Sequence, residues 1–446
     1  MASFRYSAAP GVVSWPSDVQ PARPKRSPPV QPKSKIKLAI WIASTCASVL
    51  LTSPATSDVI MDWNAKAEAI GVEKQLVNVP NARGQAMLHL AMFEAVNAIE
   101  RRYAPYKLNL ESDRTASKEA AAASAAYAIL LNLYPDQKPS LDTALATSLS
   151  GIAETDAKAK GIELGKKAAA GIIALRANDG SDAQESYRPH GKPGVYVPTA
   201  LPIESTSGAL KPFVMTVGSQ FRPGPPPALD SETWTRDLNE IREIGGRTST
   251  RRSDEETNIA RFWFLTGPRT YNPILRQLAL AKDMDVVDCA RLYALTSLAA
   301  IDAFIAVFDA KYTYNLWRPV TAIRNADLTA NPATPRDASW APVGVTPMHP
   351  EYPCAHCIVA AAVSTVLQSA VGNEVDISLT SATAPGLTRK WARLQDYSDE
   401  VSNARIYAGF HYRFSTEVGK TMGRKIGELT IVTQLRGAVA SAQSKP

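Results

Sequence analysis

Cys289-Ala-Arg-Leu-Tyr-Ala-Leu-Thr-Ser-Leu-Ala-Ala-Ile-Asp-Ala-Phe-Ile-Ala-Val307 is the stretch that decides the fold. Ala and Leu are strong helix formers, and here they leave almost no polar face. A helix that is apolar nearly all round belongs in a protein interior. The stretch therefore reads as the central, largely buried helix of a helical protein.

The pattern extends outward in both directions. Helical character runs on from Tyr271 to about Lys311, and precedes it from Ser231 and from Asp254 to Phe264. Gln85 to Ile99 is dense in helix formers with apolar positions at three-and-four spacing, and Ala120–Leu133 and Ser140–Ala174 continue in that style. Val359–Val371 and Thr416–Gly437 supply two further helices. Alternating strand patterns are scarce, and no repeat occurs at solenoid periods. Between Asn178 and Leu229, Gly, Pro, Ser and Asp accumulate, and Arg222-Pro-Gly-Pro-Pro-Pro-Ala excludes regular structure. That segment reads as a long surface loop between two helical halves. The expected organisation is all-α: a leader over 1–57, an N-terminal helical half over 58–200 and a C-terminal helical half over 201–446.

A net charge of +7 would invite a nucleic-acid reading, so its location matters. Residues 1–57 carry seven basic residues and one acid, which leaves the remainder close to neutral at +1. The basicity belongs to the leader, and nucleic-acid binding is excluded on that ground. The leader's basic, Pro-rich stretch runs into Leu38–Leu51 and then small residues, the pattern of a secretory signal with cleavage near Ala55. Its apolar run is short for a spanning helix, so no stable membrane span is expected. Export to the periplasm or beyond is the favoured expectation, with an uncleaved anchor or a wrongly assigned start as the alternatives that the unusually long basic stretch leaves open. Cys46 lies in the leader, leaving Cys289, Cys354 and Cys357, an odd number in a chain that needs no disulfide framework. His89 sits on an apolar helical face as a core histidine, and His190 reads as a solvated loop residue.

Three segments carry the chemistry. Lys311-Tyr-Thr-Tyr-Asn-Leu-Trp-Arg318-Pro319 places two cations seven residues apart, about two helical turns, with Tyr312, Tyr314 and Trp317 as walls of a pocket. Pro319 disfavours helical backbone at Arg318, so the helix should end there. Pro353-Cys354-Ala355-His356 opens an apolar run, which puts His356 in the first turn of a helix, where free N–H groups cradle anions. His349 lies seven residues earlier. In Ala404-Arg405-Ile-Tyr-Ala-Gly409-Phe-His411, a straight helix would hold Arg405 and His411 ~120° apart. A bend at Gly409 would bring both to one ligand. Three permanent cations and two imidazoles form the set that holds an oxyanion and moves protons around it.

These segments resemble the three motifs of the superfamily of vanadium-dependent haloperoxidases and type-2 phosphatidic acid phosphatases: Lys-x6-Arg-Pro, Pro-Ser-Gly-His and Ser-Arg-x3-Gly-x-His-x3-Asp. Lys311, Arg318, Pro319, Pro353, His356, Arg405, Gly409 and His411 match in order. Gln220 to Ala228 and Ile259 to Trp263 extend the likeness to the secreted bacterial haloperoxidase-like branch. The resemblance implies two packed four-helix-type bundles with a vanadate site at the end of the C-terminal one. It implies that His411 is the axial vanadium ligand. Lys311, Arg318 and Arg405 would neutralise oxyanion oxygens, together with Cys354 and Ala355. His356 would act as acid–base catalyst, and Lys311 would polarise bound peroxide. His349 falls at a halide-pocket position where histidine points to bromide or iodide. Hydrogen peroxide and halide are the implied substrates, with an organic acceptor and an oligomeric state left open.

Three positions depart from the pattern: Cys354 for serine, Ala355 for glycine and Ser415 for aspartate. The aspartate orients the histidine, a service that a phosphatase nucleophile needs more than a metal ligand does. Its absence is expected to favour the peroxidase over the runner-up, an acid phosphatase with His411 as nucleophile. A catalytically impaired phosphate- or vanadate-binding protein is the third reading. Redox chemistry at Cys354-Ala-His-Cys357 is the fourth; the motif stands at a helix start, without the βαβ context of a thioredoxin-like domain.

Overall fold

The structure, a computed structural model, describes residues 58–111, 113–329 and 331–437, so the expected leader lies outside the described residues. Five helices come first: α1 (Val59–Glu73), α2 (Asn78–Glu100), α3 (Lys118–Leu133), α4 (Lys138–Ser150) and α5 (Asp156–Leu175). After a long loop follow α6 (Glu232–Ile244), α7 (Asp254–Phe262), α8 (Pro268–Ala281), α9 (Val286–Tyr314) and α10 (Pro319–Arg324). The chain closes with α11 (Ala355–Val371), a hairpin of β1 (Glu374–Ser381) and β2 (Ala384–Arg393), α12 (Leu394–Tyr407) and α13 (Arg413–Thr433). The protein is mostly helical, as expected.

The central helix is where the sequence puts it. In α9 every residue from Leu292 to Phe308 is buried, and Asp285 caps its start by accepting from the backbone of Val287 and Asp288. Long and apolar enough to cross a membrane, α9 is nonetheless packed inside the protein. It packs on α2, which with α3 and α5 forms one helical group, and on α11 and α13, which with α12 form another. His89 is indeed a core residue: its ring bonds Ser297 Oγ at 2.6 Å and Asn64 Nδ2 at 3.2 Å. Burial pushes its pKa down to about 3. His190 is exposed, also as expected.

Three local expectations need correction. The helical segments read as continuous are each broken once. The break after Ala281 comes where Asp283 takes φ +46° and Asp285 starts a new helix, and the other falls at Gly151. α9 ends at Tyr314 rather than at Arg318, because Asn315 adopts a left-handed conformation (φ 51°) and caps it. Arg318 is extended (φ −79°, ψ 155°), as a residue before proline should be. The hairpin escapes a reading for helices: its alternation is short and mostly polar, and it buries only Ile377, Leu379, Ala384 and Trp391, of which Ile377 and Trp391 are paired across it.

The long loop is fastened down rather than free on the surface. Asp302 of α9, fully buried, accepts from the backbone N–H groups of Phe213, Val214 and Met215 at 2.7–2.8 Å. Arg222 forms a bidentate pair with Asp309, both contacts at 2.7 Å. The Tyr312 and Tyr314 hydroxyls donate to the Ile203 and Pro223 carbonyls. The aromatics of the first motif therefore fasten the loop beside the site, while Trp317 stacks on Trp234 in a separate apolar cluster.

Close helix packing sets where the second and third motifs meet. A Cβ on Gly423 of α13 would lie 2.2 Å from the Ile358 carbonyl of α11, so only glycine permits this approach. It brings the start of α11 beside the start of α13. There the Cys354 N–H donates to the Ser415 carbonyl at 3.2 Å.

Candidate active site

The expected bend is present. α12 ends at Tyr407, Gly409 takes φ +76°, and the Phe410 and His411 N–H groups both turn back to the Arg405 carbonyl. A side chain at 409 would clash as well, since its Cβ would sit 2.4 Å from the Gly245 carbonyl. Arg405 and His411 thus enter one buried space from two sides of a turn.

Lys311 and both arginines are buried there, at 0–1% exposure, a costly condition for three cations. Their hydrogen bonds go to backbone carbonyls and imidazoles. Lys311 Nζ donates to the carbonyls of Pro350 (3.0 Å) and Glu351 (2.7 Å). Arg318 Nε donates to the His349 carbonyl at 2.8 Å, and its Nη1 to the Phe410 carbonyl at 3.0 Å. Arg405 donates to the Trp263 carbonyl at 2.6 Å and stacks over Phe410, leaving its Nε without a partner. Burial, aided for Lys311 by Arg318, holds the Lys311 ammonium well below its usual range; burial likewise lowers Arg405 to about 10.

The imidazoles are fixed by these donors. Arg318 Nη1 meets His411 Nε2 at 3.1 Å, and a guanidinium can only donate, so Nε2 is an acceptor. The proton is then on Nδ1, which donates to Glu351 Oε1 at 2.8 Å. Arg318 Nη2 likewise makes His349 Nδ1 an acceptor at 2.9 Å, and the His349 ring meets Phe308 edge-on. His356 sits in the first turn of α11, whose cap is Cys354 and whose first residue is Ala355, in helical backbone without positive φ. Its Nε2 is buried and unpartnered, and its other contact is the Phe264 carbonyl rather than a carboxylate. Burial, then the surrounding cations, hold His349, His356 and His411 well below the usual imidazole range, so all three are neutral bases.

Glu351 is the residue that sequence reasoning missed. It is fully buried, receives the Tyr412 N–H (3.1 Å) as well as His411, and has a pKa raised to about 8 by burial against the opposing pull of Lys311 and Arg318. Ser415 lies near enough to lower that pKa, although Oε2 makes no formed hydrogen bond. The orienting carboxylate absent at 415 is therefore delivered from the loop before α11. The signal was in His349-Pro-Glu351-Tyr-Pro353, just ahead of the second motif, but nothing in its spacing links it to His411.

Three buried cations, one reluctant carboxylate and unpartnered N–H and imidazole groups fit a polyanion with several oxygens. Comparisons with known proteins agree with that chemistry. Residues 291–436 match the family model of the second helical-bundle domain of VCPO. The vanadium chloroperoxidase of Curvularia inaequalis is 24% identical over 372 residues, 64% of this chain. A bacterial vanadium-dependent iodoperoxidase structure superposes with a TM-score of 0.72 at 27% identity, over 85% of this chain and 97% of that one. Together these likenesses support the vanadium haloperoxidase superfamily. The chain spans 59% of the length of the Curvularia relative. A bacterial vanadium-dependent chloroperoxidase, at 18% identity and a TM-score of 0.62 over 80% of this chain and 93% of that one, shares the superfamily's fold. Of the site residues expected from the sequence, Lys311, Arg318, Cys354, Ala355, His356, Arg405 and His411 fall on the three converging segments, and His349 lies in the loop just before the second.

Proposed function

We propose that this protein is an exported vanadate-dependent haloperoxidase that oxidises bromide or iodide with hydrogen peroxide. The carrying observation is His411: Glu351 holds its proton at Nδ1, so Nε2 presents a lone pair among three buried cations. A metal-ligating imidazole needs that tautomer and a carboxylate behind it. His411 Nε2 would hold vanadate, and Lys311, Arg318 and Arg405 would neutralise its oxygens. When bound, vanadate supplies the centre that activates hydrogen peroxide towards halide, with hypohalous acid and water as products. His356, neutral and unpartnered at Nε2, is set to take the proton that peroxide loses. The likeness to an iodoperoxidase and the histidine at 349 support the heavier halides.

The Glu351 geometry favours one second reading. Ser415 no longer counts against a phosphatase, because a nucleophilic His411 would have the carboxylate it needs. The test is dye bromination by the purified protein with orthovanadate, peroxide and bromide, beside a phosphate-ester arm and His411→Ala in both. Vanadate-dependent bromination lost in His411→Ala supports the peroxidase. His411-dependent phosphate release without bromination replaces it with the phosphatase.

A further inference from the structure

The CxxC at the start of α11 is the motif that the proposed reaction leaves unused. Both sulfurs are free thiols with no exposed surface. Cys354 is the helix cap, and the Cys357 N–H donates to its Sγ at 3.3 Å. That bond places the Cys354 sulfur over the backbone of its partner, and the two side chains are in hydrogen-bonding proximity. Arg405 and Lys311 act on both thiols. Burial pushes the Cys354 thiol up, but Cys357 and these cations outweigh it and hold it below its ordinary value. The Cys357 thiol is raised instead, first by burial and then by Cys354. One sulfur is thus prepared as a nucleophile and its neighbour as a resolving thiol. The pocket is not sealed around them, since His356, two residues from Cys354, keeps 8% of its surface exposed.

We infer that Cys354 and Cys357 form a dithiol that hydrogen peroxide converts to a disulfide, and that this conversion strengthens anion binding at the adjoining site. The chemistry balances with peroxide as sole oxidant. The Cys354 thiolate attacks one peroxide oxygen; the O–O bond breaks, an S–O bond forms, and hydroxide leaves to take up a proton as water. The Cys357 sulfur then attacks the sulfenic sulfur, forming S–S and releasing a second water. Two thiols are oxidised by two electrons, and peroxide is reduced to two waters. The consequence for anions follows from charge. A Cys354 thiolate competes with any oxyanion for Arg405 and Lys311, whereas a disulfide is neutral and leaves those cations to the ligand. The inference rests on the proposed function only in taking peroxide as a molecule that reaches this pocket.

The test needs neither vanadate nor halide, so its failure is distinct from failure of the haloperoxidase reading. The purified reduced protein is titrated with hydrogen peroxide, residual thiols are alkylated after denaturation, and peptides are mapped by mass spectrometry. Cys354 and Cys357 are expected to disappear together as a mutual crosslink that dithiothreitol reverses. Cys289 should stay alkylatable, because burial and the nearby Asp58 raise its pKa. Orthophosphate affinity, read by calorimetry, should rise about tenfold or more on oxidation, as removal of a unit charge from the pocket implies. Cys357→Ser should abolish the crosslink, with a dimedone-reactive sulfenic acid left at Cys354. Should that variant fail to fold, comparing oxidised with reduced wild type suffices. Free Cys354 and Cys357 after peroxide treatment overturn the inference, as do oxidation of Cys289 at an equal rate and a crosslink that leaves phosphate affinity unchanged or weaker.

Discussion

Removing the Glu351 carboxylate tests the central structural claim, that a loop residue does the work of the missing aspartate. Glu351→Gln keeps an oxygen for the Tyr412 N–H and for His411 Nδ1–H but removes the charge. Above about pH 8, where the Glu351 carboxyl is ionised, a charge-assisted bond of 2.8 Å becomes a neutral one, a difference of about 1–1.5 kcal/mol, or roughly tenfold in affinity for an oxyanion held at Nε2. Glu351→Ala removes the shared acceptor Oε1 and leaves two buried N–H groups unpartnered, and the loss should approach about a hundredfold. Orthovanadate and orthophosphate binding, followed by calorimetry, measures both variants. The decisive arm is the relocation Glu351→Ala with Ser415→Asp. Ser415 is buried, its hydroxyl has no formed bond, and it lies beside the vacated carboxyl. A carboxylate there should recover most of the lost affinity. If Glu351→Ala binds orthovanadate as wild type does, or if the relocated carboxylate restores nothing, the assignment of Glu351 to His411 is wrong.

Other expectations follow from the same geometry. Because Glu351 has a folded pKa of about 8 against an ordinary 4.5, its contribution to stability is full below pH 4.5 and is lost as pH rises to about 8. Glu351→Gln should lack that decline, gaining up to a few kcal/mol on wild type between pH 5 and pH 8 in urea unfolding. Phosphate binding should take up protons, since an oxyanion reverses the depression of Lys311 and His356; calorimetry in buffers of different ionisation enthalpy reads the number. Gly423→Ala should destabilise by about 1–2 kcal/mol, overpacking against the Ile358 carbonyl outweighing the better helix propensity. Its phosphate affinity should fall as well, because α11 carries Cys354 and His356 at its start.

Much of this was legible in the chain because local rules act locally. Cys289 to Val307 could only be an interior helix, Pro319 made Arg318 extended, and Gly409 announced the turn that joins Arg405 to His411. What escaped was set by partners distant in sequence. Glu351 and His411 are 60 residues apart, and no periodicity links a loop glutamate to a histidine across two helices and a hairpin. The Asn315 cap was missed because a left-handed asparagine, unlike glycine or proline, carries no obligatory signal. Tyr312 and Tyr314 looked like pocket walls because their hydroxyl partners, Ile203 and Pro223, lie in a loop about a hundred residues away.

One consequence of the central helix concerns leverage. α9 is a single 29-residue rod, about 43 Å long, and it delivers Lys311 to the site from its last turn. With the same helix serving both groups, no flexible linker separates them, and the reacting centre inherits its alignment from packing far away. A tilt of about one degree pivoting at Asp285 would carry Lys311 by about 0.7 Å. Displacements of about 1 Å are enough to slow an enzyme about a hundredfold. Substitutions at the His89–Ser297 contact, on the α2 side of the rod, should therefore register in turnover before they register in melting temperature. In this protein the distant core is part of the gunsight.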